Sequence, residues 1–244
     1  MFPPSINNIF FYAIFSAIPA LGWLLVCLYL DRQAPEPKKE VWRMFFGGAF
    51  IVLPALLICG PLTVWIKNSV WFQGAIAILV ISFLVDGLIE ETAKYLILRK
   101  KIYRRPAFDE PRDGMIYGMI VGIGFAFVEN ILYATTTSRF VEGISLIFLR
   151  AITASFMHIL ACGIVGYHLA EVKFYQPKNK KFIIFSSLFL AIGFHGLYNT
   201  IIRFDSVWNI IPLAVLILSV CVYLLIGLRR FAKFPQPLSQ KPLF

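Results

Sequence analysis

The sequence predicts an all-α, polytopic membrane protein with about seven transmembrane helices. Of its 244 residues, 59% are hydrophobic and only 15% are charged, and the mean hydropathy is +0.77. A soluble domain carries about a quarter of charged residues, because its surface has to be hydrated. The composition therefore excludes a soluble enzyme, a disordered chain and a secreted disulfide scaffold.

Seven apolar segments follow one another along the chain, each long enough for a helix of roughly 20 residues to cross a hydrocarbon core. The segments between them are short and polar, and none has room for a soluble domain. Residues 1–244 are therefore predicted to form a single integral membrane domain. The predicted spans are residues 9–30, 44–66, 71–98, 114–136, 144–170, 182–202 and 208–228.

Lysine and arginine residues lie mainly in alternate loops. Eighteen of the 23 lie in the loops after spans 1, 3 and 5 and in the C-terminal tail, whereas the opposite loops hold only Lys67, Arg139 and Arg203. Because basic loops stay in the cytoplasm, the N-terminus is predicted outside the cell membrane and the C-terminus inside. The basic face accounts for the net charge of +10 and predicts anionic lipids at the cytoplasmic face as partners, with no nucleic acid.

Ionisable residues inside the spans are concentrated in spans 3 to 6. Each costs at least about 2.5–3.5 kcal/mol at the centre of a membrane helix, so each indicates a function or a buried partner. Their presence on four consecutive spans predicts one polar cavity between them. The polar positions are Asp86, Glu90, Glu91 and Lys94 in span 3, Glu129 and Asn130 in span 4, Arg150, His158 and His168 in span 5, and His195 and Asn199 in span 6.

Glu90 and Glu91 are adjacent carboxylates in a medium of low dielectric constant. Asp86, Glu90 and Lys94 recur every four residues and share one helix face, so Lys94 is expected to neutralise Glu90. Two neighbouring carboxylates cannot both ionise cheaply, and one of them is expected to serve as a general acid or base near neutral pH. A peptidase activates water with this chemistry.

Two further patterns concern spans 4 to 6. His195 and Asn199 share a face at i, i+4, where they could hold a carbonyl oxygen or orient a water molecule. A stripe of small residues in span 4 is predicted to pack closely against another helix. Asp86 and Arg150 are expected either to pair with each other or to position helices. The stripe consists of Gly114, Gly118 and Gly122.

Four motifs occur in the order that the PrsW family of intramembrane proteases shows, and the chain resembles that family over about residues 82–200. They are EETAK at 90–94, FAFVEN at 125–130, the mid-span His158 and HGLYN at 195–199. The family is similar to the larger superfamily of CAAX-processing endopeptidases and bacteriocin-processing enzymes. The CAAX-processing branch has histidine where this chain has Glu129, which favours PrsW within the superfamily.

The resemblance implies an intramembrane endopeptidase whose substrate is a single-span membrane protein, typically an anti-sigma factor in regulated proteolysis. The adjacent glutamates would activate water, the residues of spans 4 and 5 would orient the water or a metal, and those of span 6 would complete the site. The implied catalytic residues are Glu90, Glu91, Glu129, His158, His195 and Asn199.

The involvement of a metal is left open at this point, although the family is classed with metallopeptidases. Glu129, His158 and His195 are of the types that bind catalytic zinc, but the HExxH spacing of soluble zinc proteases is absent. In a metal-free alternative a glutamate is the base, and His195 with Asn199 forms the oxyanion hole. Both mechanisms use the same residues.

Two other functions compete with proteolysis. Intramembrane Glu and His residues also form proton relays, so one alternative is a proton-coupled transporter. The sequence shows no inverted repeat and no paired broken helices, which argues against it. The other alternative is a non-catalytic scaffold or immunity-type protein of the same fold. A non-catalytic protein would not need a polar residue at every motif position, whereas this sequence has one at each of them.

The depth of the motif residues conflicts with a shared site. Counting about 1.5 Å per residue from the predicted span ends places Glu90 nearer the cytoplasm, and Glu129 and His195 nearer the outside. If the polar residues meet, the third span is expected to be longer or more displaced than its hydropathy indicates.

Overall fold

The fold is entirely helical in the computed structural model, which describes residues 6–32, 34–204 and 206–231. Within these ranges there is no β-strand. The α-helices of the described chain are α1 (Ile6–Leu30), α2 (Lys38–Asn68), α3 (Gly74–Val80), α4 (Leu88–Lys101), α5 (Pro111–Ala134), α6 (Phe140–Ile152), α7 (Ala154–Ala170), α8 (Lys180–Arg203) and α9 (Ile210–Phe231).

Six helical segments of the described chain are long and apolar enough to cross a membrane, and they coincide with predicted spans 1, 2, 4, 5, 6 and 7. Predicted span 3 is helical as well, because α3, a π-helical segment Ile81–Gly87 and α4 follow one another without a break. Within residues 71–98 it carries four charged side chains, namely Asp86, Glu90, Glu91 and Lys94. The predicted all-α, polytopic membrane fold is confirmed.

Two predicted spans depart from a regular α-helix. The π-helical segment Ile81–Gly87 lies immediately before the adjacent glutamates, a position typical of π-helical turns, which often occur at functional sites. The fifth span is interrupted between α6 and α7 at Thr153, whose hydroxyl donates to the carbonyl of Leu149 at 3.0 Å. Such a bond from a threonine to the preceding turn bends a helix.

Helix α5 lies at the centre of the fold, packed between α2 and α7, and most of its residues are buried. The glycine stripe packs closely against another helix, as predicted, and that helix is α7. A Cβ atom at Gly114 would lie 2.5 Å from the carbonyl oxygen of Gly166, and one at Gly122 would lie 2.5 Å from the carbonyl oxygen of His158. The absence of side chains thus lets the two backbones touch at the point where α7 carries His158.

Candidate active site

Glu91 is the innermost carboxylate of the polar cluster and is fully buried. Its Oε1 atom accepts hydrogen bonds from Lys94 Nζ at 2.8 Å and from His195 Nδ1 at 2.7 Å. Its Oε2 atom is buried and has no hydrogen-bond partner among the described residues. A buried carboxylate oxygen without a partner is costly, so this atom is available to a water molecule or a ligand.

Lys94 occupies the middle of the cluster. Its Nζ atom lies 2.8 Å from Glu91 Oε1, 3.5 Å from Glu90 Oε2 and 2.8 Å from His158 Nδ1. It also lies 3.8 Å from the centroid of the Phe125 ring, a cation–π contact. The expected pairing of Lys94 with Glu90 is therefore present, but its shorter ion pair is with Glu91.

The two histidines are held in the same way. Lys94 can only donate, so His158 Nδ1 accepts its hydrogen bond, and His158 Nε2–H donates to Glu129 Oε2 at 2.7 Å. His195 donates Nδ1–H to Glu91, which leaves its Nε2 atom 4.0 Å from Glu90 Oε2. Each imidazole thus has one nitrogen fixed by a carboxylate and the other turned towards the centre of the cluster.

These positions form a candidate metal-binding group. Glu90, His158 and His195 offer ligand atoms that all lie within 4.8 Å of one another, from α4, α7 and α8. Carboxylates that accept the second N–H of a metal-binding histidine are the usual outer shell of such a site, and Glu91 and Glu129 occupy that role here. The donor types and the outer shell fit a catalytic metal ion, provided that Lys94 releases His158 Nδ1, which it contacts at 2.8 Å.

The structure places Glu129 differently from the sequence-based ligand set of Glu129, His158 and His195. Its Oε2 atom accepts from His158 Nε2 and from Arg150 Nη2 at 2.6 Å, on the side of the imidazole that faces away from Lys94. Glu90, not Glu129, joins the two histidines in the cluster of ligand atoms. Helix periodicity could not distinguish the two glutamates, because it does not give the rotation of one helix relative to another.

Arg150 is the residue of the site that sequence reasoning left without a role. Besides Glu129, it binds Asn130 Oδ1 through Nε at 2.9 Å, and its guanidinium carbon lies 3.7 Å from the centroid of the Tyr133 ring. The amide of Asn130 in turn donates to Ser155 Oγ at 2.9 Å. In the sequence, the only signal for the pair of Arg150 and Glu129 was that both are predicted to lie in the outer halves of their spans.

Asp86 and Asn199 lie together, one helical turn from the main cluster. Asn199 Nδ2 donates to Asp86 Oδ2 at 3.1 Å, and Arg203 Nη2 donates to the same oxygen at 2.5 Å. The suggested pairing of Asp86 with Arg150 does not form. Asn199 was expected to act beside His195, and the structure brings its amide to Asp86 instead.

The expected difference in depth does not separate the motif residues. Helix α4 extends to Lys101 and α5 begins at Pro111, so both continue about one turn beyond the predicted spans on the same side. Glu91 and His195 are in direct hydrogen-bond contact. Glu129 reaches the cluster through His158, which bridges it to Lys94. These contacts bring the motif residues into one cluster despite the difference in depth that helix rise predicts.

Comparisons with known proteins identify the family of the chain. The family model described as PrsW family intramembrane metalloprotease matches residues 36–226. A Protease PrsW of Bacillus subtilis (strain 168) is 36% identical over 199 residues, which cover 81% of this chain and 86% of that protein. The chain belongs to the PrsW family. A Protease PrsW of Oceanobacillus iheyensis is 33% identical over 207 residues, 84% of this chain and 90% of that protein.

A third PrsW relative, from Clostridioides difficile (strain 630), is 30% identical over 215 residues, 86% of each chain. No solved structure matches the chain. Membership of PrsW makes the protein an intramembrane peptidase and an integral membrane protein. The match extends beyond the motif-bearing core at about 82–200 in both directions, so α2 and most of α9 belong to the family's shared architecture.

Proposed function

We propose that this PrsW family peptidase cleaves a single-span membrane protein, with an anti-sigma factor as the expected substrate, at the cluster formed by α4, α5, α7 and α8. The observation that best supports this proposal is that the two histidines are oriented in the same way. His158 and His195 each give one nitrogen to a carboxylate and direct the other towards Glu90 or Lys94. A structural histidine pair would not need this orientation, whereas a hydrolytic site does.

Glu90, His158 and His195 are the residues that would hold zinc, with His158 using the Nδ1 atom that Lys94 contacts. The ion would supply Lewis-acid polarisation of the scissile carbonyl. Glu91 and Glu129 fix the orientation of the imidazoles. This assignment replaces Glu129 by Glu90 as the carboxylate ligand.

In this proposal Glu91 is the general base that accepts a proton from the attacking water. Its Oε2 atom has no partner among the described residues, so it can accept the proton of the attacking water while Oε1 stays bonded to Lys94 and His195. A positioned carboxylate of this kind contributes about 10²–10⁴-fold as a general base. In the metal-free alternative Glu90 takes the proton instead. Asn199 is outside this catalytic set, because its amide serves Asp86.

The proposed orientation follows from the charge distribution. The ends of α1, α4, α7 and α9 lead into the basic segments, so the N-terminus would lie outside the cell membrane and the C-terminus in the cytoplasm. The polar cluster lies within the helices, and a substrate helix would have to approach from the lipid. A single-span protein meets that requirement.

The test is cleavage of a tagged single-span anti-sigma factor in liposomes that contain the purified protein. Wild type should cut, and E90Q, E91Q and H195A should each lose at least 100-fold in kcat/KM while remaining folded. The matched control is E142Q, because Glu142 lies in the first turn of α6 and its side chain is 49% exposed. Full activity of E90Q and E91Q would exclude the proposed site.

The same liposome assay tests whether cleavage requires a metal ion. A zinc chelator should abolish cleavage, and added zinc should restore it, if Glu90 and the two histidines hold the ion. Cleavage that resists a chelator able to cross the bilayer would support the glutamate mechanism. If wild type cuts other single-span proteins but no anti-sigma factor, the peptidase site stands and the substrate assignment fails.

A further inference from the structure

A groove of about 550 Å³ opens on the lipid-facing surface between the end of α4, the end of α7 with the following π-helical segment Glu171–Tyr175, and the start of α8. Its volume lies within the range of about 300–1,000 Å³ that is typical of small-molecule sites. The groove is separate from the catalytic cluster. It is lined at one end by Arg99, Lys180 and Lys181, and along its length by apolar and aromatic side chains that include Tyr95, Phe185 and Leu188.

The cationic end of the groove lacks carboxylate partners. Among the described residues, no carboxylate oxygen lies within 4.0 Å of the charged atoms of Arg99, Lys180 or Lys181. Lys180 donates a hydrogen bond to the side-chain amide oxygen of Gln176. Arg99 is fixed by stacking over the Tyr103 ring at 4.1 Å. A positive charge held in place without a counter-ion favours an anionic ligand.

Four basic residues near the same ends of the helices have partners within the protein. Arg43 and Arg105 pair with Glu40, Arg112 pairs with Glu110, and Lys173 donates to backbone carbonyls. Their charges are satisfied within the protein. The three cations of the groove thus differ from these paired residues, and they differ from the exposed Lys38 and Lys39 in bordering a groove that is lined by apolar side chains.

The apolar part of the groove continues from the cations towards the middle of the helices. On α8, Lys181, Phe185 and Leu188 follow at helical spacing on one face, and on α4 Tyr95 lies one turn inward from Arg99. Cations at the membrane surface followed by an apolar channel along the helices match an amphiphile with an anionic head and an acyl chain. An anionic phospholipid has this chemistry, and the surrounding leaflet supplies it at high concentration.

We propose that this groove is a specific binding site for an anionic phospholipid of the cytoplasmic leaflet, with its phosphate between Arg99, Lys180 and Lys181 and an acyl chain along Phe185 and Leu188. The proposal rests on the membrane embedding of the chain and is independent of its peptidase mechanism. It is more specific than attraction of the basic face to anionic lipid, because it names one groove and leaves the paired cations outside it.

The test follows the thermal unfolding of the full-length protein in detergent micelles during titration with phosphatidylglycerol. The site variant is K180Q/K181Q, and the matched control is K38Q/K39Q, which removes the same charge from exposed residues at the start of α2. For wild type and control, phosphatidylglycerol should raise the Tm with similar midpoints. The midpoint of the site variant should rise about tenfold, equivalent to about 1.4 kcal/mol.

Two further titrations separate the sources of the anion. Phosphatidylcholine should not raise the Tm, and inorganic phosphate should neither raise it nor compete with phosphatidylglycerol, because it has no acyl chain to fill the groove. The variant R99Q should shift the midpoint in the same direction as K180Q/K181Q. Equal shifts for site and control variants, or equal stabilisation by phosphatidylcholine or by phosphate, would overturn the proposal.

Discussion

Replacing Gly122 by alanine would test whether the contact between α5 and α7 sets the position of His158. A Cβ atom at Gly122 would lie 2.5 Å from the carbonyl oxygen of His158 and 2.9 Å from Cα of Ile159. Ordinary contact begins at 3.4 Å, so the α7 backbone would have to retreat by about 0.9 Å. Both atoms belong to a helix backbone, which cannot rotate out of the way as a flexible side chain can.

Such a retreat would act directly on the site. If the imidazole moved with its backbone, its 2.7 Å hydrogen bond to Glu129 would lengthen to about 3.6 Å, which is too long for a hydrogen bond. A misplacement of about 1 Å can cost a factor of about 10² in rate. Overpacking of this kind costs about 1–3 kcal/mol, partly offset by the higher helix propensity of alanine. We expect kcat/KM to fall about 100-fold with a smaller loss in stability.

The assay is cleavage of the single-span substrate in liposomes, with thermal unfolding in detergent as the parallel measurement. The control is Gly60→Ala, also in a helix interior, where an added Cβ would meet no atom within 4 Å. The control should keep wild-type activity and an equal or higher Tm. If Gly122→Ala cleaves as fast as Gly60→Ala, the close helix contact does not position the site.

Three further outcomes are expected. R150Q should lower the free energy of unfolding by about 3 kcal/mol in denaturation experiments, because it leaves Glu129, whose side chain is only 15% exposed, without its cation. R150K should recover part of that loss. Equal stability of R150Q and wild type would contradict this. Asn199→Ala should reduce kcat/KM by less than about tenfold, because the amide hydrogen-bonds Asp86 and not the catalytic cluster. A 100-fold loss would show that Asn199 takes part in catalysis. Burial, followed by the neighbouring Asp113 carboxylate, raises the pKa of Glu36 above its usual value of 4.5. The unfolded chain therefore releases this proton at lower pH than the folded one, and stability should fall as the pH rises above 4.5, less steeply in E36Q. Equal pH slopes of Tm for both proteins would show that Glu36 does not cause the fall.

The fold could be predicted from the sequence because membrane spans depend on composition over about 20 residues, which a sequence displays directly. The polar residues of the site were found for the same reason, since each is expensive in hydrocarbon. Their partners could not be predicted. Asp86 pairs with Arg203, which hydropathy places in an outer loop, and Arg150 pairs with Glu129. Such pairs depend on the depth and rotation of each helix, and one residue of rotation is about 100°.

The glycine stripe did predict one contact between helices, because small residues on one helix face indicate that another helix packs closely there. Gly114 and Gly122 identified the face of α5 that packs against another helix, and both do contact α7. The stripe did not reveal which helix would be the partner. It also gave no hint that the contact falls at His158, since the register between two helices is set by packing along their whole length.

The charges of the cluster can accommodate an additional cation. Glu90, Glu91 and Glu129 bring three negative charges, and Lys94 and Arg150 bring two positive ones, so with neutral imidazoles the formal charge is −1. An unbalanced charge among buried groups is costly. A divalent cation would turn the charge to +1, and the negative charge that develops on an attacked carbonyl would then be stabilised by the whole cluster. The charge of the cluster is thus compatible with a bound metal, as the family description implies.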